Sequence, residues 1–311
     1  MDELCLGNYY FAVAKVLRDS LLLSTLLCNS EAWYNLTKDD ISVLESVDED
    51  LLRKILQAHS KTPKEMLYLE SGSIPIRFVI MSKRLNFLWY ILNENDETLI
   101  KKFFMAQLNN PVKGDWVSRV KKDLEELELS YEFTTIKAKS KSEFKRMVKI
   151  KIQEKALHYL TSIQATHSKS KHIVYSELSL QEYLKPECNL TIKEKAFTFA
   201  ARTYMLDIHC NFKKGKSDLL CRKCLLDNET QEHLLSCPAL SDNSILTSSN
   251  VPKYDDLFSQ SIDKIETISK ILLQKFNQLH QVHRSTPCAA TKVPHSTHCD
   301  ATIVPSRIGI K

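Results

Sequence analysis

Apolar positions recur at helical rather than strand spacing from the start of the chain. Tyr10, Val13, Leu17 and Leu21 share one face at 3.6-residue spacing. Thr37-Lys38-Asp39-Asp40 reads as a capping-box start to a helix that buries Ile41, Leu44, Val47, Leu51 and Ile55. Thr62 as N-cap, Pro63 at the first helical position and Glu65 at the third open another helix, which Gly72 ends. A long helix is predicted over 76–93, with Val79, Ile80, Leu85, Phe87, Leu88 and Ile91 apolar, and a further one before Pro111. Asp115 caps a helix carrying Trp116, Val120, Leu124 and Leu127.

After a polar, basic boundary at 137–142, a helix is expected over 143–163 and a short one over 180–184, stopped by Pro186. A second capping box, Thr191-Ile192-Lys193-Glu194, opens a helix reaching about Leu206. A Ser/Asn-rich linker over 241–250 leads to a last helix over 255–280, with Phe258, Ile262, Ile265, Ile268, Leu272 and Phe276 apolar. The segment after Arg284 has no periodicity and is expected to be disordered. The fold class expected is therefore mainly α, a multi-helix array without internal repeats. Composition agrees, because 5 Gly in 311 residues leave few positions for hairpin turns or Gly-rich phosphate loops.

Other classes fall away on motif grounds. Neither GxGxxG nor GxxxxGK[ST] occurs, so no nucleotide-cradling loop or small-molecule substrate is advertised. No apolar run approaches the roughly 18 residues of a membrane span, since the longest candidate, around 9–28, is broken by Lys15, Arg18 and Asp19. The acidic start Met1-Asp2-Glu3 argues against a signal peptide. Nine scattered cysteines point to reduced thiols. The expected localisation is intracellular, in nucleus or cytoplasm, with no membrane partner.

Charge is uneven. Residues 137–223 carry 19 basic against 8 acidic side chains, whereas 1–136 carry 16 against 21. Lys141, Lys145 and Lys149 recur every four residues with Arg146 beside them, a stripe without acidic partners at i+4. Such a run reads either as a solvated helix face or as a phosphate-tracking surface for RNA or DNA.

The strongest chemical signal is Cys221-Arg222-Lys223-Cys224 followed by His233-Leu234-Leu235-Ser236-Cys237, a C-x2-C-x8-H-x3-C spacing. Two Cys three apart converge from a tight turn, and His233 and Cys237 at i and i+4 project from one side of a helical turn. Four S and N ligands with no open position make one structural Zn2+ site. His209 and Cys210 are alternative ligands, while Cys5, Cys28, Cys188 and Cys210 otherwise read as small core residues. The tail residues His280, His283, Cys288, His295, His298 and Cys299 read as disordered, with adventitious metal binding as the alternative. Tyr254-Asp255-Asp256 has the wrong spacing for a polymerase Tyr-x-Asp-Asp turn and reads as a helix start, where acidic residues oppose the dipole.

Several strings in order resemble one family. Asn29-Ser30-Glu31-Ala32-Trp33, Leu51-Leu52-Arg53-Lys54-Ile55-Leu56, Thr62-Pro63-Lys64-Glu65-Met66-Leu67-Tyr68-Leu69-Glu70 and Ile74-Pro75-Ile76-Arg77 resemble the region after the palm in non-LTR (LINE-type) retrotransposon reverse transcriptases. The zinc element is similar too, with Glu229-Thr230 before Glu232-His233-Leu234-Leu235; Asn29 stands where the family usually has Gly. The resemblance implies a thumb-like segment at 1–60, a helical connector at 61–136 and a basic helical region at 137–206. It places the CCHC element at 207–240, a linker and amphipathic helix at 241–284 and a tail at 285–311.

The palm with its catalytic carboxylates would precede Met1, so the expected function is a non-catalytic, non-enzymatic remnant that binds RNA or DNA. Arg202, Lys213, Lys214, Lys216, Arg222 and Lys223 would contact phosphates beside the zinc site, and Lys141, Lys145, Arg146 and Lys149 would form a second strip. Self-association through exposed thumb-like helices is a further expectation. The alternative is a zinc-stapled helical interaction scaffold that binds no nucleic acid.

Overall fold

A computed structural model describes residues 6–130, 132–170, 173–212, 219–240 and 253–281. The described residues are mainly helical and contain no strand. A rod formed by α1 (Tyr10–Leu17), a π-helical turn (Arg18–Leu22) and α2 (Leu23–Leu26) leads to α3 (Lys38–Ile55), α4 (Lys64–Ser71) and α5 (Ile76–Asn93). There follow α6 (Leu99–Asn109), α7 (Trp116–Glu126), the short α8 (Phe133–Lys137) and α9 (Lys141–Gln164). The remainder comprises α10 (Ile192–Arg202), α11 (His209–Phe212), α12 (Gln231–Ser236) and α13 (Ile262–Gln281). No helix among the described residues is long and apolar enough to cross a membrane.

The helix starts follow the capping chemistry. At Thr37 and at Thr191 the hydroxyl accepts from the N–H three residues on, and the carboxylates of Asp40 and Glu194 accept from the cap N–H in return. Asp115 and Ser140 cap α7 and α9 by accepting from Ser118 and Glu143. Gly72 ends α4 at φ +62°, and a Cβ there would lie 2.2 Å from the carbonyl carbon of Ser179. Only glycine meets both demands.

The centre of the molecule is α5, whose Phe78, Met81, Leu85, Leu88 and Ile91 are buried. Along it runs α9, which buries Phe144, Val148, Ile152, Ala156 and Leu160 at four-residue intervals. The two helices are antiparallel: the Phe78 ring meets Tyr159 at 5.6 Å, while at the other end the Trp89 indole N–H donates to the Lys139 carbonyl at 3.0 Å. Each large apolar side chain in this seam is worth about 1.5–3 kcal/mol of transfer from water. The main core runs from Phe11 to Ile265 and draws on both sides of the divisions expected at 60/61 and 136/137. A second core, around Ala201, Leu234, Leu257, Ile268 and Leu272, joins α10, α12 and α13.

Several expectations need correction. On α3 the buried line is Glu45, Asp48, Leu52 and Ile55, and Val47 is 43% exposed. Two arginines set this register. Arg18 donates from Nε and Nη2 to Asp48, each at 2.6 Å, and Arg77 grips Glu45 at 2.8 and 3.0 Å. Likewise Arg18 is buried while Leu21 is 61% exposed, because the π-helical turn shifts the phase of the face.

Thr62 does not cap α4, whose N-cap is Pro63. The helix from Thr191 ends at Arg202, and Tyr204 in the left-handed region (φ +57°) follows it. The segment 180–184 forms only a 3-10 turn, Glu182–Leu184. The last predicted helix is split into a 3-10 turn, Tyr254–Phe258, and α13, so Asp255 and Asp256 lie on that turn. Cys28 is exposed and Cys188 is buried. Cys5, the linker over 241–250 and the tail over 285–311 lie outside the described residues.

Candidate metal centre

The site is built by local pairing. Leu220 and Asn228 form an antiparallel bridge, flanked by bonds from Glu229 N–H to the Leu219 carbonyl and from Cys221 N–H to the Asp227 carbonyl, both 2.7 Å. This closes a loop bearing Cys221 and Cys224. Leu225, at φ +57°, donates its N–H to the Cys221 carbonyl at 2.9 Å and turns the chain back. Thr230 then caps α12, its hydroxyl accepting from the His233 N–H at 3.0 Å. The helical turn brings His233 and Cys237 to the same side.

The ligand atoms of Cys221, Cys224, His233 and Cys237 all lie within 4.8 Å of one another. Cys221 Sγ is 3.8 Å from Cys237 Sγ, and Cys224 Sγ is 3.3 Å from His233 Nε2. A tetrahedral ion with thiolate bonds of about 2.3 Å and an imidazole bond of about 2.05 Å requires S···S and S···N separations of roughly 3.8 and 3.6 Å. The S–S separation is far beyond the roughly 2.05 Å of a disulfide. Cys221, His233 and Cys237 are buried. Donor set, spacing and burial fit one metal ion, for which the four side chains could serve as ligands.

The surroundings favour that role. The backbone N–H of Leu226 points at Cys224 Sγ from 3.5 Å and, with further hydrogen bonds, brings this thiol down to about 6, whereas burial pushes Cys237 up to about 11. Nδ1 of His233 faces outward, 3.7 Å from the Asp227 carboxylate, leaving Nε2 for the metal. Glu229, fully buried, accepts from the backbone N–H groups of His209 and Arg222 and from Arg222 Nη2 at 2.7 Å. Burial opposes its charge, but the Arg222 and backbone hydrogen bonds prevail and hold its carboxyl below the usual range. Arg222 also donates to the Asp207 carbonyl at 3.1 Å, so Glu229 and Arg222 latch the cysteine loop to the segment after α10.

These contacts revise the expected phosphate ligands. Arg222 is committed to Glu229, and Arg202 is buried in an ion pair with Glu70, Nε to Oε2 at 2.9 Å. Neither is an unpaired cation, because each neutralises a carboxylate that burial would otherwise leave unpaired. Lys213, Lys214 and Lys216 lie outside the described residues. Lys223 is half-buried beside the cluster.

Lys141, Lys145, Arg146 and Lys149 are exposed on α9, with no carboxylate within 4.0 Å among the described residues. His209 is not a ligand: its Nδ1 faces the Leu220 carbonyl at 3.1 Å, and Cys210 stands outside the cluster as well. The roles of Glu229 as a buried anchor and of Thr230 as a cap were not apparent from composition, although Thr230 three residues before His233 is a local capping signal. No protein-family model, curated protein or solved structure matches the chain.

Proposed function

We propose that the protein binds RNA or DNA through α9, alongside a small fold ordered by one structural zinc ion on Cys221, Cys224, His233 and Cys237. The observation that carries the binding reading is the unpaired strip Lys141, Lys145, Arg146 and Lys149. The opposite face of α9 is locked into the main core through Phe144, Val148 and Ile152, so the cations are displayed on a fixed support. Such a strip grips phosphates without reading bases. Zinc is the metal favoured by a Cys3His donor set in a tetrahedral, closed shell.

The resemblance to the C-terminal part of non-LTR retrotransposon reverse transcriptases supports a nucleic-acid role. We assign no catalytic step to the chain, since Asp255 and Asp256, the Asp-Asp pair that follows a Tyr directly, begin a 3-10 turn that packs against α13. A second reading, a zinc-stapled interaction scaffold, is favoured by one specific observation: Arg202 and Arg222 are consumed internally.

Fluorescence anisotropy with single-stranded RNA and duplex DNA separates the two. Affinity should fall steeply between about 50 and 200 mM salt, and Lys145→Glu with Arg146→Glu should weaken binding and flatten the salt slope by about one unit for each phosphate no longer neutralised. Absence of binding to either nucleic acid at the lower salt would establish the scaffold reading instead.

A further inference from the structure

A cavity of about 400 Å³ opens between the start of α3, α5 and α7, and no residue of the metal cluster or of the basic strip lines it. Its walls carry Arg77, Arg84 and Arg119 together with Lys38, against one carboxylate, Glu126. With Glu45 and Asp123, which pair with these arginines from behind the wall, the four cations outnumber the carboxylates by one, in a region whose overall charge, over residues 1–136, is negative.

Arg77 and Arg119 are each held along one edge, whereas Arg84 is buried with all three nitrogens engaged and contributes only its charge to the wall. Arg77 spends Nε and Nη2 on Glu45 and stacks over the Tyr159 ring at 4.6 Å, leaving Nη1 without a partner among the described residues. Arg84 donates to Asp123 and to the Trp33 carbonyl. Arg119 places Nε 3.2 Å from Asp123 and keeps both terminal nitrogens free among the described residues, with 43% of its side chain exposed. A guanidinium fixed by a carboxylate on one side presents its remaining N–H fork in a set direction, which is how arginines are pre-organised for phosphate.

Two further walls bound the site. The N-terminus of α3, an 18-residue helix, borders the cavity at Thr37 and Lys38. Its capping box already takes the Asp40 N–H and sets the Asp39 and Asp40 carboxylates in the first turn, so this wall offers the cavity the Lys38 ammonium rather than free N–H groups. On the other wall, Tyr34 is 50% exposed and stands near the apolar Ile41 and Met81, a surface suited to a flat ring. The volume lies within the roughly 300–1,000 Å³ of small-molecule sites.

We infer that this cavity is a binding site for a phosphate-bearing ligand of mononucleotide size, Arg77, Arg119 and Lys38 taking the phosphates and Tyr34 the ring. This departs from the expectation, drawn from motif absence, that the chain has no small-molecule partner. A phosphate loop is one way to bind a nucleotide; basic side chains converging from three helices leave no sequence motif.

Isothermal titration calorimetry on the full chain tests it, with ADP, inorganic pyrophosphate and adenosine as probes. ADP should bind, pyrophosphate more weakly, and adenosine not at all. Arg119→Gln and, separately, Lys38→Ala should each weaken ADP by about tenfold, the scale of one charge-assisted contact, while Arg146→Gln on α9 should leave it unchanged. Lys38 is exposed and forms no ion pair among the described residues, so its variant keeps the test valid even if Arg119→Gln disturbs Asp123. No binding of ADP or pyrophosphate would overturn the proposal. So would binding lost in Arg146→Gln but retained in Lys38→Ala, since the ligand would then sit on the basic strip. Equal affinity for ADP and pyrophosphate would remove the ring contact with Tyr34.

Discussion

Glu70 on α4 and Arg202 on α10, 132 residues apart in the chain, meet as a buried ion pair at 2.9 Å. The Tyr175 hydroxyl donates to the same carboxylate, Arg202 also donates to the Leu257 carbonyl, and its guanidinium lies 5.3 and 4.9 Å from the Tyr183 and Phe258 rings. One pair thereby ties the main core to the segment preceding α13.

Removing one partner should cost much more than removing both. Arg202→Met is expected to lower the free energy of unfolding by about 3–5 kcal/mol, whereas Glu70→Leu combined with Arg202→Met should recover most of that loss. Urea denaturation of the single and double variants measures the difference. A folded Arg202→Met protein of unchanged stability but weakened RNA affinity would return Arg202 to the surface role first expected of it.

Removal of the metal should act locally. Wild-type protein is expected to hold one zinc and Cys224→Ser to hold less than one under the same dialysis, with Co2+ in place of zinc showing the visible bands of a tetrahedral thiolate complex. Limited proteolysis after chelation should cut first within 219–240, while the α5–α9 seam, whose contacts do not involve the cluster, stays resistant. Simultaneous loss of both regions would show that the ion supports the whole fold.

The cap of α3 makes a pH-dependent contribution with a defined sign. Asp40 accepts from the backbone N–H and hydroxyl of Thr37, which hold its carboxyl below the usual range. A carboxylate depressed in the folded state stabilises the protein above its unfolded value, about 3.9, and that contribution is lost as pH falls through the folded value. Urea midpoints of wild type and Asp40→Asn should therefore differ at neutral pH and converge below about pH 4. A gap that persists unchanged in acid would mean the carboxylate charge is not what the cap uses.

Local chemistry was legible wherever the partners lie within a few residues. The capping boxes at Thr37 and Thr191, the limits of α5 and the cap at Asp115 all depend on neighbours three or four positions away. The metal cluster belongs to the same class: Cys221 to Cys237 converge through one bridge, one left-handed residue and one capped helical turn, all between Leu220 and Cys237. Its second layer was less legible, because nothing in the spacing distinguishes Glu229 as the buried acid from Glu232 as an exposed one.

By itself, then, the sequence determined the helical class, most helix starts and the four-residue Cys/His cluster, since these follow from periodicity and short-range hydrogen bonding. Which charges face inward was decided only by the tertiary structure. Nothing in the sequence pairs Arg18, Arg77, Arg84 and Arg202 with Asp48, Glu45, Asp123 and Glu70, which lie 30, 32, 39 and 132 positions away. A buried guanidinium must find a carboxylate or forfeit its solvation. That requirement, satisfied between distant segments, turned the α3 face, withdrew two expected phosphate ligands and drew three arginines to the wall of one cavity.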